Sequence, residues 1–399
     1  MMNFLSKIIK NTQRVYLDYA SLTPVDERVI KVMEKTMRMH SANPGSLYGE
    51  GVAAEKLLNK SRGDIARFFE VHADEIIFTS GGTEANNLAI KGIISGAIRK
   101  GVMKPHIISL TTEHPSIREL LNVLTEEGKC EVSYVPVTEN GIIDIKEFKT
   151  AFRLETVLVS VMYANNEIGV IQPISEIAKV IRSFRKDNNS EYPYFHTDAC
   201  QAAIYCPMRI PILGVDLMTI DGGKVYGPRG IGALYARRGI QKHLMSQILG
   251  GGQESNFRAG TENLPAIAGL AEALRICAKE KDSEIARLTP LRDWLIEEMK
   301  KIVPKATLNG SLINRLPNNI NICLPGKDSE FEVLRLDVKG VCVSSVTSCR
   351  SKSEDSSSYV IEGIGKKECA ASSLRITFGR YTTRSEINFF LKHFKKLNI

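Results

Sequence analysis

The chain has 399 residues, 43% of them hydrophobic and 25% charged, with a formal net charge of +8. A chain of this length buries a sizeable core without staples, and one large domain plus a smaller one is expected. No run of about 18 apolar residues occurs, which excludes a membrane-spanning helix, and the basic excess contains no run of five, which argues against specific nucleic-acid binding.

The first fourteen residues are basic and partly apolar but lack a long apolar stretch and a small-residue cleavage site. A frayed arm is expected there rather than a signal peptide. A helical period follows over 49–69, then a short apolar run over 75–80 that ends in two glycines, then a second helical period over 84–100. Apolar runs at 106–112, 132–137, 156–163, 194–199 and 216–221 read as buried strands, with helical segments at 114–128 and 175–187 between them. Such alternation predicts an α/β fold with a mainly parallel sheet, whose active site lies at the carboxyl ends of the strands. A long helical segment over 264–303 leads into strands at 306–310, 318–324 and 372–378 and a closing helix at 382–397. The expected division is a large domain over 28–265, with 1–27 and 266–399 forming a smaller α+β domain.

Eight cysteines lie at 130, 200, 206, 277, 323, 342, 349 and 369, none in a C-x-x-C pair. No metal site is expected, and scattered thiols fit a reducing cytoplasm. Most read as small buried hydrophobes. Cys349 is different, because it sits in SSVTSCRSKSEDSSS (344–358), with eight serines in fifteen positions. That stretch is too polar to pack and reads as a mobile loop.

Five turns after strands carry chemistry. TSGGTEANN (79–87) joins a strand to a helix through Gly81 and Gly82, with Thr83 following. Its amides and the helix dipole suit a phosphate, or it is simply a turn. In DGGKVYGPRG (221–230), Lys224 follows a buried strand inside a glycine-rich turn that lacks the spacing of a P-loop. It is a Schiff-base lysine or a solvated one. In HTDACQ (196–201), Asp198 suits a protonated pyridine nitrogen or a helix cap. In TTEHPSI (111–117), His114 could be a catalytic or a capping histidine, and Asn165 and Asn166 of YANNEIG could be turn formers.

Taken in order, these motifs resemble the cysteine desulfurases of the NifS/IscS type, within the fold-type I pyridoxal-phosphate enzymes. The resemblance runs from YLDYASLTPVD (16–26) to SSLRITFGRYTTRSEI (372–387), through NPGSLYGEG, TSGGTEANN, TTEHPSI, YANNEIG, FHTDACQ, KVYGPRGIGALY, FRAGTEN and the cysteine loop. It implies that Lys224 holds pyridoxal 5'-phosphate as a Schiff base and takes the substrate's Cα proton. Asp198 would face the ring nitrogen, Gln201 the ring's phenolic oxygen, and His114 the ring face. Gly82 and Thr83 would hold the phosphate, with Thr261 reaching the phosphate of a partner subunit in a homodimer. Asn166 and Arg375 would hold L-cysteine. Cys349 would take its sulfur as a persulfide, with His114 or Arg350 assisting its ionisation. A sulfur-acceptor protein, for iron–sulfur assembly or tRNA thiolation, is the implied partner.

The pattern departs from the family in two places. The usual Ser-Gly-His-Lys is Asp221-Gly222-Gly223-Lys224 here. An aspartate repels phosphate, so Asp221 is expected to turn away or pair with Arg229, or else cofactor affinity is reduced, with the amides of Gly222 and Gly223 as partial substitute donors. The chain also stops at KKLNI, without the tail by which longer members dock an iron–sulfur scaffold, so that docking is not expected. Three alternatives stay open: a selenocysteine lyase, an aminotransferase of the same class, and a weakly active desulfurase-like binding protein.

Overall fold

The computed structural model describes residues 14–345 and 357–398. Its strands are β1 Val15–Tyr16, β2 Ile76–Thr79, β3 His106–Leu110, β4 Glu131–Val135, β5 Thr156–Ser160, β6 Tyr194–Asp198, β7 Leu217–Asp221, β8 Gly232–Ala236, β9 Thr307–Leu308, β10 Asn319–Cys323, β11 Val341–Cys342, β12 Ser344–Ser345 and β13 Ser373–Thr377. Seven of them form one sheet in the order β2-β8-β7-β6-β5-β3-β4. Strands β3 to β7 run parallel to one another. Only β8 runs against its neighbours β2 and β7. Every residue of β2, β3, β5, β6 and β8 is buried, as a sheet covered by helices on both faces requires. The α/β fold read from the sequence is the observed one.

The helix Gly82–Arg99 buries Ala85, Leu88, Ala89, Ile93 and Ala97 on one stripe. Gly96 lets that helix close on the chain after β8: a Cβ there would lie 1.9 Å from the His243 carbonyl oxygen. No side chain fits, so the helix is held tightly with its first turn at the end of β2. The 39-residue helix Leu264–Ile302 packs across the helices Glu27–Met39 and Gly49–Phe69. It leads to a second, antiparallel sheet in the order β12-β13-β10-β9. Strand β13 of that sheet carries Arg375, whose Cα partner on β12 is Ser344.

Two sequence expectations change here. Ser344 and Ser345 are a buried strand rather than loop, and Ser358 is buried too. Their polarity does not prevent packing because the hydroxyls find partners: Ser344 Oγ donates to the Ser345 carbonyl, and Ser358 Oγ to Glu167 Oε2 at 2.6 Å. Cys323 and Cys369 are not separate buried thiols but a disulfide with a Cα–Cα distance of 5.4 Å. Among the described residues, no helix is long and apolar enough to cross a membrane.

Candidate active site

The carboxyl ends of the parallel strands converge on one cavity of about 420 Å³. Beyond β2 the chain turns through Gly81 into the helix Gly82–Arg99, which brings Gly82, Thr83 and Asn86 to the wall. His114 follows β3, Asn166 follows β5, Asp198 ends β6, and Asp221 and Lys224 close β7. Gln201 and Arg375 complete the set that the sequence singles out. Residues far apart in the chain therefore meet because a parallel sheet puts all its strand ends on one side.

Lys224 points its Nζ at the carbonyls of Ala20 (3.0 Å) and Ser21. Gln201 Nε2 donates to the same Ala20 carbonyl at 2.9 Å. Asp198 is 7% exposed. Its Oδ2 accepts from Asn86 Nδ2 at 2.8 Å, and its Oδ1 from the Cys200 amide at 2.9 Å. A buried carboxylate needs such partners.

His114 is both a cap and a wall residue, so the two sequence readings are one. Its Nδ1 accepts from the Ser116 amide at 3.1 Å, capping the helix Pro115–Glu126. Burial pushes its imidazole below the ordinary histidine range, which favours the neutral ring. With Nδ1 accepting, the ring proton sits on Nε2. Ser116 Oγ lies 2.9 Å from the same Nδ1 and accepts from Asn86 Nδ2 at 2.9 Å. Asn86 thus ties His114, through Ser116, to Asp198.

Arg375 is held on two sides. Its Nη2 donates to Asp18 Oδ1 (2.9 Å) and Ser21 Oγ (2.8 Å), and Nη1 to the Asn166 carbonyl (3.1 Å). Three of a guanidinium's five donors are used. The buried Nε has no partner among the described residues.

Asp221 does not turn away, and no ion pair joins it to Arg229. Its Oδ2 accepts from the Gly82 amide and its Oδ1 from the Gly223 amide, both at 2.8 Å. The Gly222 amide donates to the Ile231 carbonyl at 2.9 Å. Neither Gly222 nor Gly223 therefore offers a free amide, contrary to expectation. Strand pairing claims one and the short side chain of Asp221 claims the other. Thr261 is exposed and stands outside the cavity wall of its own chain. Cys349 and Arg350 lie outside the described residues.

Among the wall residues missed by sequence reasoning are Asn86, Ser116, Met162 and Cys200. Asn86 was recoverable, because it lies three residues after Thr83 on the same helix face. Cys200 is the one free cysteine on the wall among the described residues. Burial, then the charges of Asp198 and Asp221, push its thiol well above the ordinary range, so it stays protonated and unreactive.

These residues fit pyridoxal phosphate at its ring end. A pocket amine, a buried carboxylate and a neutral imidazole share one cavity of suitable size. The donors at the phosphate end are partly claimed by Asp221.

Residues 15–390 match the family model described as Aminotransferase class-V. The cysteine desulfurase IscS of Dictyoglomus turgidum is 42% identical over 380 residues, covering 95% of this chain and 93% of that one. Among solved structures, a NifS-like protein superposes with a TM-score of 0.88 at 30% identity, over 96% of this chain and 99% of its own. SspA in complex with cysteine superposes with a TM-score of 0.75 at 30% identity, over 92% and 100%.

Proposed function

The chain belongs to the class V aminotransferase family and is a pyridoxal-phosphate-dependent cysteine desulfurase, and we propose that Lys224, Asp198, His114, Arg375 and Cys349 carry its reaction. The observation that supports this assignment is the shared cavity: an amine, a buried carboxylate and a guanidinium with an unpartnered Nε meet on one wall.

When bound, the cofactor supplies an electron sink for charge developing at the substrate's Cα. Lys224 would hold it covalently, Asp198 would keep the ring nitrogen protonated, and His114 would lie against the ring. Gln201, Gly82 and Thr83 would complete its contacts. Arg375 takes the carboxylate of L-cysteine with the donors its neighbours leave, and Asn166, whose carbonyl Arg375 already grips, orients the rest. Lys224 Nζ then removes the Cα proton. Cys349, as thiolate, attacks the substrate Sγ. The new S–S bond forms as the Cβ–Sγ bond breaks, the electron pair of that bond staying with Cβ; a proton from solvent at Cβ and return of the Cα proton from Lys224 complete alanine. His114, whose Nε2 carries the ring proton, would assist by donating a hydrogen bond to the Cys349 thiolate.

Chain geometry supports the role of Cys349. It lies four residues past Ser345, a reach of at most about 14 Å. Ser344 on the same short strand is the Cα partner of Arg375. On the far side of the segment, Tyr359 donates to the carbonyl of Glu113 at 2.6 Å, beside His114. Each flank of the segment is thus tied next to a wall residue, Arg375 on one side and His114 on the other. The chain acts as a homodimer in which Thr261, exposed on its own protomer, reaches the partner's cofactor. The persulfide is passed to an acceptor protein.

The test is Cys349→Ala. The variant is expected to keep the cofactor's colour while losing persulfide formation and alanine release from cysteine. Sulfur transfer at the wild-type rate in that variant would remove Cys349 from the mechanism.

A further inference from the structure

The helix Gly82–Arg99 offers an anion seat at its first turn, where N–H groups without helical partners and the positive end of the dipole meet. In a site for pyridoxal phosphate that seat is where a phosphate is held. Here it already holds an anion. The Asp221 carboxylate spends one oxygen on the Gly82 amide and the other on the Gly223 amide. It stands inside the cavity, on the same wall as Lys224 and Thr83. Gly81 closes on it from one side, since a Cβ there would lie 3.1 Å from Asp221 Oδ2. Among the described residues no ion pair involves Asp221, although Lys224 shares its wall, and Arg229 is exposed.

We propose that Asp221 is an internal competitor for the cofactor's phosphate. Its carboxylate keeps the two amides aligned before the cofactor arrives, and a phosphate must either displace it or share the seat with a like charge. The phosphate then contributes little to affinity, and the cofactor is retained chiefly by its bond to Lys224 and by the ring contacts. This rests on the desulfurase reading of the cavity and adds a prediction of its own: the site discriminates weakly between pyridoxal phosphate and pyridoxal, which carries the aldehyde and ring but no phosphate.

The experiment is an equilibrium titration of the cofactor-stripped full chain, followed by the absorbance of the lysine-bound chromophore. Pyridoxal phosphate and pyridoxal are each titrated into the wild type, Asp221→Ser, Asp221→Asn and Asp221→Glu. The Ser and Asn variants are expected to bind pyridoxal phosphate at least about tenfold more tightly than the wild type, a change of about 1.4 kcal/mol. Their affinity for pyridoxal should be unchanged. Asp221→Glu keeps the charge and is expected to stay weak. Inorganic phosphate should compete with pyridoxal phosphate at lower concentration in the Ser and Asn variants. Folded Ser and Asn variants that bind pyridoxal phosphate no better than the wild type overturn the proposal. So does a wild type that prefers pyridoxal phosphate over pyridoxal by a thousandfold, a measurement that needs no variant to fold. If neither compound gives a Lys224-dependent chromophore in any chain, the reading of the cavity itself fails.

Discussion

Substituting Arg375 with lysine tests how the cavity recognises its substrate. The change keeps a positive charge but removes the planar donor set that now spans Asp18, Ser21 and the Asn166 carbonyl. One ammonium cannot serve Asp18 and a substrate carboxylate in the same geometry, since its three donors diverge from a single point. Hydrogen bonds to charged groups contribute about 1.5–3 kcal/mol each. Loss of one such bond predicts a fall in kcat/KM for L-cysteine of about 10- to 150-fold, mostly through KM. Alanine release under an added thiol reductant gives both constants. Cysteamine, which is cysteine without its carboxylate, supplies the control. Wild-type enzyme should favour cysteine strongly, and Arg375→Lys should narrow that preference by the same factor. An equal loss on both compounds would show that Arg375 supports the cavity rather than reading the carboxylate.

Glu113 is fully buried; its Oε1 accepts from the Met162 amide at 2.7 Å and its Oε2 has no partner among the described residues. Burial holds its carboxyl well above the ordinary range, so the folded chain binds a proton that the unfolded chain releases above about pH 4.3. That costs stability increasingly as pH rises above that point. Glu113→Gln keeps the acceptor and removes the titration, so its melting temperature relative to wild type should rise between pH 4.5 and 8, and a pH-independent difference would contradict the argument. For Thr261, alanine substitution in the Asp221→Ser chain, where the phosphate seat is free, should weaken cofactor binding by about 10- to 150-fold, the loss of one charge-assisted bond. In that same background, mixed dimers of Lys224→Ala and Thr261→Ala subunits should recover one complete site, and no recovery of activity on mixing would place Thr261 within its own subunit's site.

Much of the sheet was legible because β2 to β8 are short, apolar and separated by clear helical periods. The helix Ser329–Val338 was not, since its segment SEFEVLRLDV buries only Ser329, Glu332 and Leu336 and shows little apolar periodicity. Strand β12 was hidden by its serines, which pack only because strand β13 lies alongside. In the site, Lys224, Asp198, His114 and Arg375 were visible through motif order. Asn86 was recoverable only as a wall position on the helix face of Thr83, and Ser116 was not, because the side-chain relay they form exists only once two helix N-termini meet. Asp221 was noticed but misplaced. Sequence placed it against a phosphate and predicted avoidance, without knowing that two amides would converge on it.

Asp198 and Asp221 occupy equivalent places, each the last residue of adjacent parallel strands β6 and β7. Local sequence cannot separate their roles; their partners do. Asp198 is held by one side-chain amide and one backbone amide, an arrangement that fixes the carboxylate while leaving it open to a ring N–H. Asp221 spends one oxygen on the Gly82 amide at the start of the helix Gly82–Arg99, a place where proteins hold anions, and the other on the Gly223 amide of its own turn. The charge count of the cavity follows the same division. Two carboxylates face Lys224 and Arg375, and Arg375 is already paired with Asp18. The chain has therefore built in the negative charge that a phosphate would otherwise bring. A cofactor entering this site meets a favourable ring end and a phosphate end that is electrostatically full, so the balance between retention and release turns on Asp221.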